Sequence, residues 1–281
     1  MKLGMMMFST DYSMRPDDFA RAVEERGFES VWFPEHTHIP ASRKSPWPIG
    51  GELPKEYWHA HDLFVALMAA AAVTTRVKLG SGICLVIEHD PIKLAKQVAS
   101  VDRLSQGRLI LGIGGGWNAE EMENHGTPFD RRWKVLREKI EAMKVIWTEE
   151  EAEYHGEFVN FDPIWCHPKP VQKPYPPIVL GTHTSSGMNR VVRYCDGWIP
   201  IGLVMKDLAA SLSDLRDRAR QAGRDPHELS VTIFSAPGKE ELLRQYEDLG
   251  VERVVFGARP QTADKVLPQL DRYAEFVPKF S

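Results

Sequence analysis

Eight short apolar runs recur along the chain, the first seven each followed by residues at helical spacing, and this alternation constrains the fold more than any other property of the sequence. Residues 3–8 read as the first strand, ended by Ser9, Thr10 and Asp11. Residues 16–26 carry Phe19, Ala22 and Val23 on one helical face and stop at Gly27, before a second strand at 30–33. Further strands are predicted at 77–83, 108–114, 178–181, 198–201, 230–234 and 253–256, with helices at 62–74, 91–104, 132–147, 187–194, 206–222 and 239–249. Eight such units without a linker predict an α/β chain folded as one (β/α)8 TIM barrel over residues 1–281, rather than an open doubly wound sheet.

Two connections are too long for ordinary turns: residues 34–61 after the second strand and 117–177 after the fourth. The latter contains a hairpin-like polar segment near Gly156 and a proline-rich stretch at 168–177. Both follow strand C-termini, the barrel face on which insertions build pockets, and the first brings Trp47, Tyr57 and Trp58.

Composition narrows the function class. The chain carries 35 Lys and Arg against 39 Asp and Glu, a net charge of −4 without long runs of one sign, which disfavours nonspecific nucleic-acid binding. The three cysteines, Cys84, Cys166 and Cys195, are widely spaced and suggest neither a disulfide framework nor a thiolate zinc site. Residues 1–8 are too few for a secretory core, and no apolar run reaches membrane-spanning length. The expected protein is cytoplasmic, acts on a small molecule, and binds neither membrane nor nucleic acid.

Chemistry-bearing residues collect at predicted strand ends. Glu35, His36 and His38 follow the second strand, where a histidine can bond or protonate a heteroatom at neutral pH and an adjacent carboxylate can orient its ring. The H-x-H pairs His36/His38 and His59/His61 raise a metal site, but no later strand end supplies a carboxylate ligand, and no metal is expected. Gly80-Ser81-Gly82-Ile83 closes the third strand, where glycine marks a bulge or a close ligand approach. The fourth runs into Gly114-Gly115-Gly116-Trp117-Asn118, a turn that does not fit the dinucleotide fingerprint G-x-G-x-x-G. The fifth ends in Gly181, Thr182, His183, Thr184, Ser185 and Ser186 before a helix. Hydroxyls and first-turn amides there would suit a phosphate, while Ser185 or Ser186 could equally be a plain helix cap. Together these ends suit a flat phosphorylated cofactor.

The sequence resembles the luciferase-like monooxygenase superfamily, most closely its actinobacterial group of oxidoreductases dependent on the deazaflavin coenzyme F420. The resemblance rests on Phe33-Pro34-Glu35-His36, Leu79-Gly80-Ser81-Gly82-Ile83, Leu94-Ala95-Lys96-Gln97, Asp102-Arg103-Leu104-Ser105, Leu111-Gly112-Ile113-Gly114 with Gly116-Trp117-Asn118, Glu121-Met122, Pro168-Lys169-Pro170-Val171-Gln172 and Asp196-Gly197-Trp198. It implies a homodimer, a non-proline cis peptide at Gly82-Ile83 backing the cofactor ring, and His36 and Glu35 as the catalytic pair. Gly115, Gly116, Trp117 and Asn118 with Gly181, Thr182, His183, Ser185 and Ser186 would hold polyol and phosphate. The implied activity is hydride transfer between deazaflavin C5 and a small organic substrate. The alternatives are an FMN-dependent monooxygenase using reduced flavin and oxygen, and a flavin-binding relative without catalysis. Where the family's sugar-phosphate dehydrogenase carries an acidic residue after the strand-four glycines, this chain has Trp117.

Overall fold

The computed structural model describes residues 1–280. Ten strands run along them: β1 (Lys2–Met6), β2 (Ser30–Phe33), β3 (Lys78–Ser81), β4 (Leu109–Ile113), β5 (Ala152–His155), β6 (Asn160–Ile164), β7 (Ile178–Leu180), β8 (Gly197–Trp198), β9 (Ser230–Phe234) and β10 (Arg253–Gly257). Eight close a parallel barrel in the order β1-β10-β9-β8-β7-β4-β3-β2, while β5 and β6 form an antiparallel hairpin outside it, at the position the sequence suggested around Gly156. Each barrel strand is followed by a helix: Pro16–Glu25, Leu63–Val73, Pro91–Leu104, Arg132–Thr148, Ser185–Tyr194, Leu208–Gln221, Glu240–Asp248 and Ala263–Ala274. The (β/α)8 reading of the sequence holds. The last helix was not anticipated, because Pro268 interrupts its pattern. No helix among the described residues is long and apolar enough to cross a membrane.

Strand periodicity sends alternate side chains inward, and the barrel interior is filled by Trp32, Ile110, Val179, Ile199, Phe234 and Val255. The Trp32 indole donates to Ser30 Oγ at 2.9 Å and is fully buried. It fits only because residue 80 is glycine: a Cβ there would lie 2.1 Å from the indole. The outer core lies between strands and helices, with Phe19, Leu67, Leu94, Ile140 and Val191 among its buried members.

Two buried polar groups tie the outer layer to the sheet. Arg108, just before β4, donates to Ser105 O, Thr74 Oγ1, Val77 O, Ala71 O and Thr74 O at 2.8–3.0 Å, satisfying carbonyls at the C-terminus of the helix Leu63–Val73. Asp102 accepts from Val171 N, Gln172 N and Gln172 Nε2, pinning the proline-rich stretch against the helix Pro91–Leu104.

Candidate functional site

The neighbours β2, β3, β4 and β7 deliver four of the sequence-predicted groups to one continuous arc of the rim: Glu35 and His36, Gly82 and Ile83, Gly114 to Asn118, and Gly181 to Ser186. Gly82–Ile83 is a cis peptide, as the resemblance implied. Ile83 packs where the arc turns, against Gly114 and within 3.4 Å of a Cβ built on Gly181. The glycines of the strand-four turn are set by protein neighbours: a Cβ on Gly114 would meet Ile83 at 2.0 Å and one on Gly115 the Trp133 indole at 2.8 Å, while Gly116 has φ +68°.

His36 is buried, and its Nδ1 lies 2.8 Å from Glu121 Oε2. The carboxylate that orients the ring is therefore Glu121, not the adjacent Glu35. Glu121 also accepts from Thr37 N at 3.2 Å and Asn118 Nδ2 at 3.4 Å. A carboxylate so placed accepts the Nδ1 proton and leaves Nε2 as the ring nitrogen available to a ligand. The imidazole is flanked by Tyr57 at 4.9 Å and Trp117 at 5.8 Å between ring centroids, and Arg43 lies over the Trp117 indole. Glu35 turns the other way, accepting from Leu85 N at 2.6 Å and meeting His89 Nε2 at 2.9 Å.

Glu121 escaped the reading of single motifs because it lies 85 positions from His36. Its local signal was Asn118-x-x-Glu121, a capping pattern: Asn118 Oδ1 accepts from Glu121 N and caps the helix Ala119–Asn124. The buried Asn118 side chain is thus committed to that cap and to Glu121. Three of the four histidines weighed as metal ligands have their own side-chain partners: His36 with Glu121, His38 with Thr37 and Asn124, and His59 with Asp11. A different trio, Glu35, Cys84 and His89, brings its ligating atoms within 4.8 Å of one another. Those groups satisfy one another, since Glu35 holds His89 and burial together with the Glu35 charge keeps the Cys84 thiol protonated.

At β7 the helix cap is Thr184, whose Oγ1 accepts from Gly187 N at 3.1 Å, so neither Ser185 nor Ser186 serves that purpose. Ser185 Oγ accepts from Arg218 at 2.8 Å and Ser186 Oγ from Arg190 at 3.2 Å, which puts two guanidinium groups on the hydroxyls. Thr182 is buried, and His183 is exposed at the mouth of the turn.

A third carboxyl, Glu88, accepts from Thr37 Oγ1 at 3.4 Å. Glu88 is pushed up to about 9, first by burial and then by the charges of Glu121 and Glu35, so it carries its proton at neutral pH. The unfolded chain releases that proton near 4.5 whereas the folded chain keeps it, so Glu88 costs stability progressively as pH rises from 4.5 towards 9. Glu88→Gln is expected to unfold at higher urea than the parent at pH 8, by on the order of 2 kcal/mol, with the difference vanishing near pH 4.5. A gain independent of pH would show that Glu88 is ionised in the folded state.

Residues 15–266 match the family model described as luciferase-like monooxygenase. An uncharacterized protein of Mycobacterium tuberculosis is 40% identical over 279 residues, 98% of either chain. The F420-dependent glucose-6-phosphate dehydrogenase of Kineococcus radiotolerans is 31% identical over 226 residues, covering 77% of this chain and 61% of that one. Among solved structures, the monooxygenase RslO1 from Streptomyces bottropensis superposes over the full length of both chains with a TM-score of 0.79 at 21% identity.

Proposed function

The chain belongs to the luciferase-like monooxygenase family, whose members are oxidoreductases or monooxygenases, and from that premise we propose that it is an F420-dependent oxidoreductase acting on a small organic substrate. The observation that carries the reading is the His36–Glu121 pair, buried between Tyr57 and Trp117 on the same rim arc as a hydroxyl turn backed by two arginines. Such a donor set fits a flat ring continued by a phosphate. Ser9 Oγ, buried just beyond the adjacent β1, has no hydrogen-bond partner among the described residues.

In this reading Ser185, Ser186 and the first-turn amides of the helix Ser185–Tyr194 bind the phosphate, and Tyr57 and Trp117 exclude water from the ring. A bound deazaflavin supplies the hydride chemistry at its C5. His36, held by Glu121 through Nδ1, presents Nε2 to the reacting substrate oxygen or nitrogen and exchanges a proton with it. A homodimer belongs to the same reading, and the exposed Val65 on the apolar outer face of the helix Leu63–Val73 supports it.

The choice of deazaflavin over FMN rests on the likeness to the glucose-6-phosphate dehydrogenase across 77% of the chain. Titrating the purified protein with both cofactors in parallel tests it. The deazaflavin is expected to bind more tightly, by about tenfold or more. Equal or stronger binding of FMN would replace this reading with a flavin-dependent monooxygenase.

A further inference from the structure

The cofactor arc uses the ends of β2, β3, β4 and β7, which leaves the ends of β8, β9, β10 and β1 as the other half of the rim. His36 stands at the seam, because β2 and β1 are neighbours. A substrate that meets His36 beside a bound cofactor therefore rests on this second half. What that half is made of decides what can rest there.

It is made of uncharged residues. No Asp, Glu, Lys, Arg or His occurs in residues 3–10, 199–205, 234–238 or 254–258, the four strand ends and the turns that leave them, and the polar side chains there are Ser9, Thr10 and Ser235. Alternation along β1 puts Gly4, Met6 and Phe8 on one face, and Met6 packs against the barrel interior. Phe8 continues that face to the rim, its ring 4.9 Å from Tyr57, which in turn lies 4.9 Å from the His36 imidazole. At the end of β9 the buried Phe234 ring reaches Gly82, where a Cβ would lie 2.4 Å from it, and so joins the second half to the cofactor arc. Beyond β8 the chain forms an apolar lip in which Leu203 is 67% and Val204 47% exposed. Large apolar side chains left uncovered beside a binding rim mark a contact surface.

The nearest charges are committed elsewhere. Asp11, the first after β1, meets His59 Nδ1 at 2.9 Å, and Lys55 of the long connection after β2 lies over the Tyr12 ring at 3.8 Å. Arg259, the first after β10, lines a separate cleft on the helix Ala263–Ala274 with Lys265 and Arg272. An ionised substrate group on this half of the rim would lose water without gaining a counter-charge, whereas an apolar body would gain by being covered. We propose that the substrate is an uncharged, predominantly apolar molecule seated on the ends of β8, β9, β10 and β1, with Phe8 and the Leu203–Val204 lip as the residues that select it. The seat beside His36 rests on the reading of the cofactor arc given above, whereas the uncharged character of this half stands independently of it.

The test follows binding by fluorine NMR for three probes: a fluoronaphthyl methyl ketone, the same ketone with a carboxylate on its distal ring, and a fluorinated hexose phosphate. Full-length protein is titrated free and with the deazaflavin or FMN bound. The parent should take the neutral ketone at least about tenfold more tightly than either anion. Phe8→Ser should reduce that preference about fivefold. The double variant Leu203→Arg/Val204→Arg, at exposed positions where folding is not at risk, should bring the carboxylate within about twofold of the ketone, and it decides alone if Phe8→Ser does not fold. A ketone that does not bind, an anion bound as tightly by the parent, or a preference that survives in either folded variant would overturn the proposal. Failure of the cofactor reading shows separately. If the deazaflavin does not bind but the ketone preference holds in the free or FMN-bound protein and responds to the variants, that reading falls and the apolar half stands. If the deazaflavin binds and the preference is missing, the apolar half falls alone.

Discussion

Replacing His36 by asparagine is expected to lower turnover by about 10²- to 10⁴-fold while leaving cofactor affinity nearly unchanged. The ring is buried, its Nδ1 is fixed on Glu121, and the imidazole lies against Tyr57 and Trp117. Asparagine can still donate to the Glu121 carboxylate, so the fold and the helix cap at Asn118 should persist while proton exchange at Nε2 is lost. The measurement pairs kcat, on a substrate found by screening alcohols, aldehydes and sugar phosphates for cofactor reduction, with cofactor titration. A loss of affinity with turnover preserved at saturation would make His36 a binding residue. Full activity and full affinity would remove it from the mechanism. Glu35 would then be a poor substitute, because both its oxygens are engaged away from the mouth.

Arg108→Met is the substitution expected to cost most stability, about 3–5 kcal/mol in urea unfolding. Methionine fills comparable space but leaves the buried carbonyls of Ala71, Thr74, Val77 and Ser105 without the donors that Arg108 supplies. Arg108→Lys, with one nitrogen in place of three, should fall between. A loss below about 1 kcal/mol in the methionine variant would mean that water reaches those carbonyls and replaces the guanidinium.

The barrel was legible because every barrel strand, and every following helix but the last, announces itself locally, through an apolar run, a break and a helical stripe. Helix ends were less so. Three consecutive hydroxyls, Thr184, Ser185 and Ser186, offer equivalent caps in sequence, and only backbone geometry selects Thr184. Strand lengths were overread for a similar reason: Ile199 and Ile201 continue the direction of β8 and are apolar, yet the regular ladder stops at Trp198. The arc of strand ends followed from barrel order, but the pairings within it did not. Glu121 with His36, Glu88 beneath Thr37, and Arg218 with Ser185 each join residues more than thirty positions apart, and no local pattern encodes such a contact.

The indole of Trp32, with Phe234 and Ile110 around it, plugs the barrel and closes it beneath the rim. A barrel closed in this way can be approached only from the rim, and a site reached from one side imposes an order of traffic. Whatever lies deepest must enter first and leave last, and a second molecule arriving early bars the way. Compulsory-order kinetics, with inhibition by excess substrate trapped against the vacated inner place, would then be a property of the architecture, inherited from one tryptophan and the glycine that makes room for it.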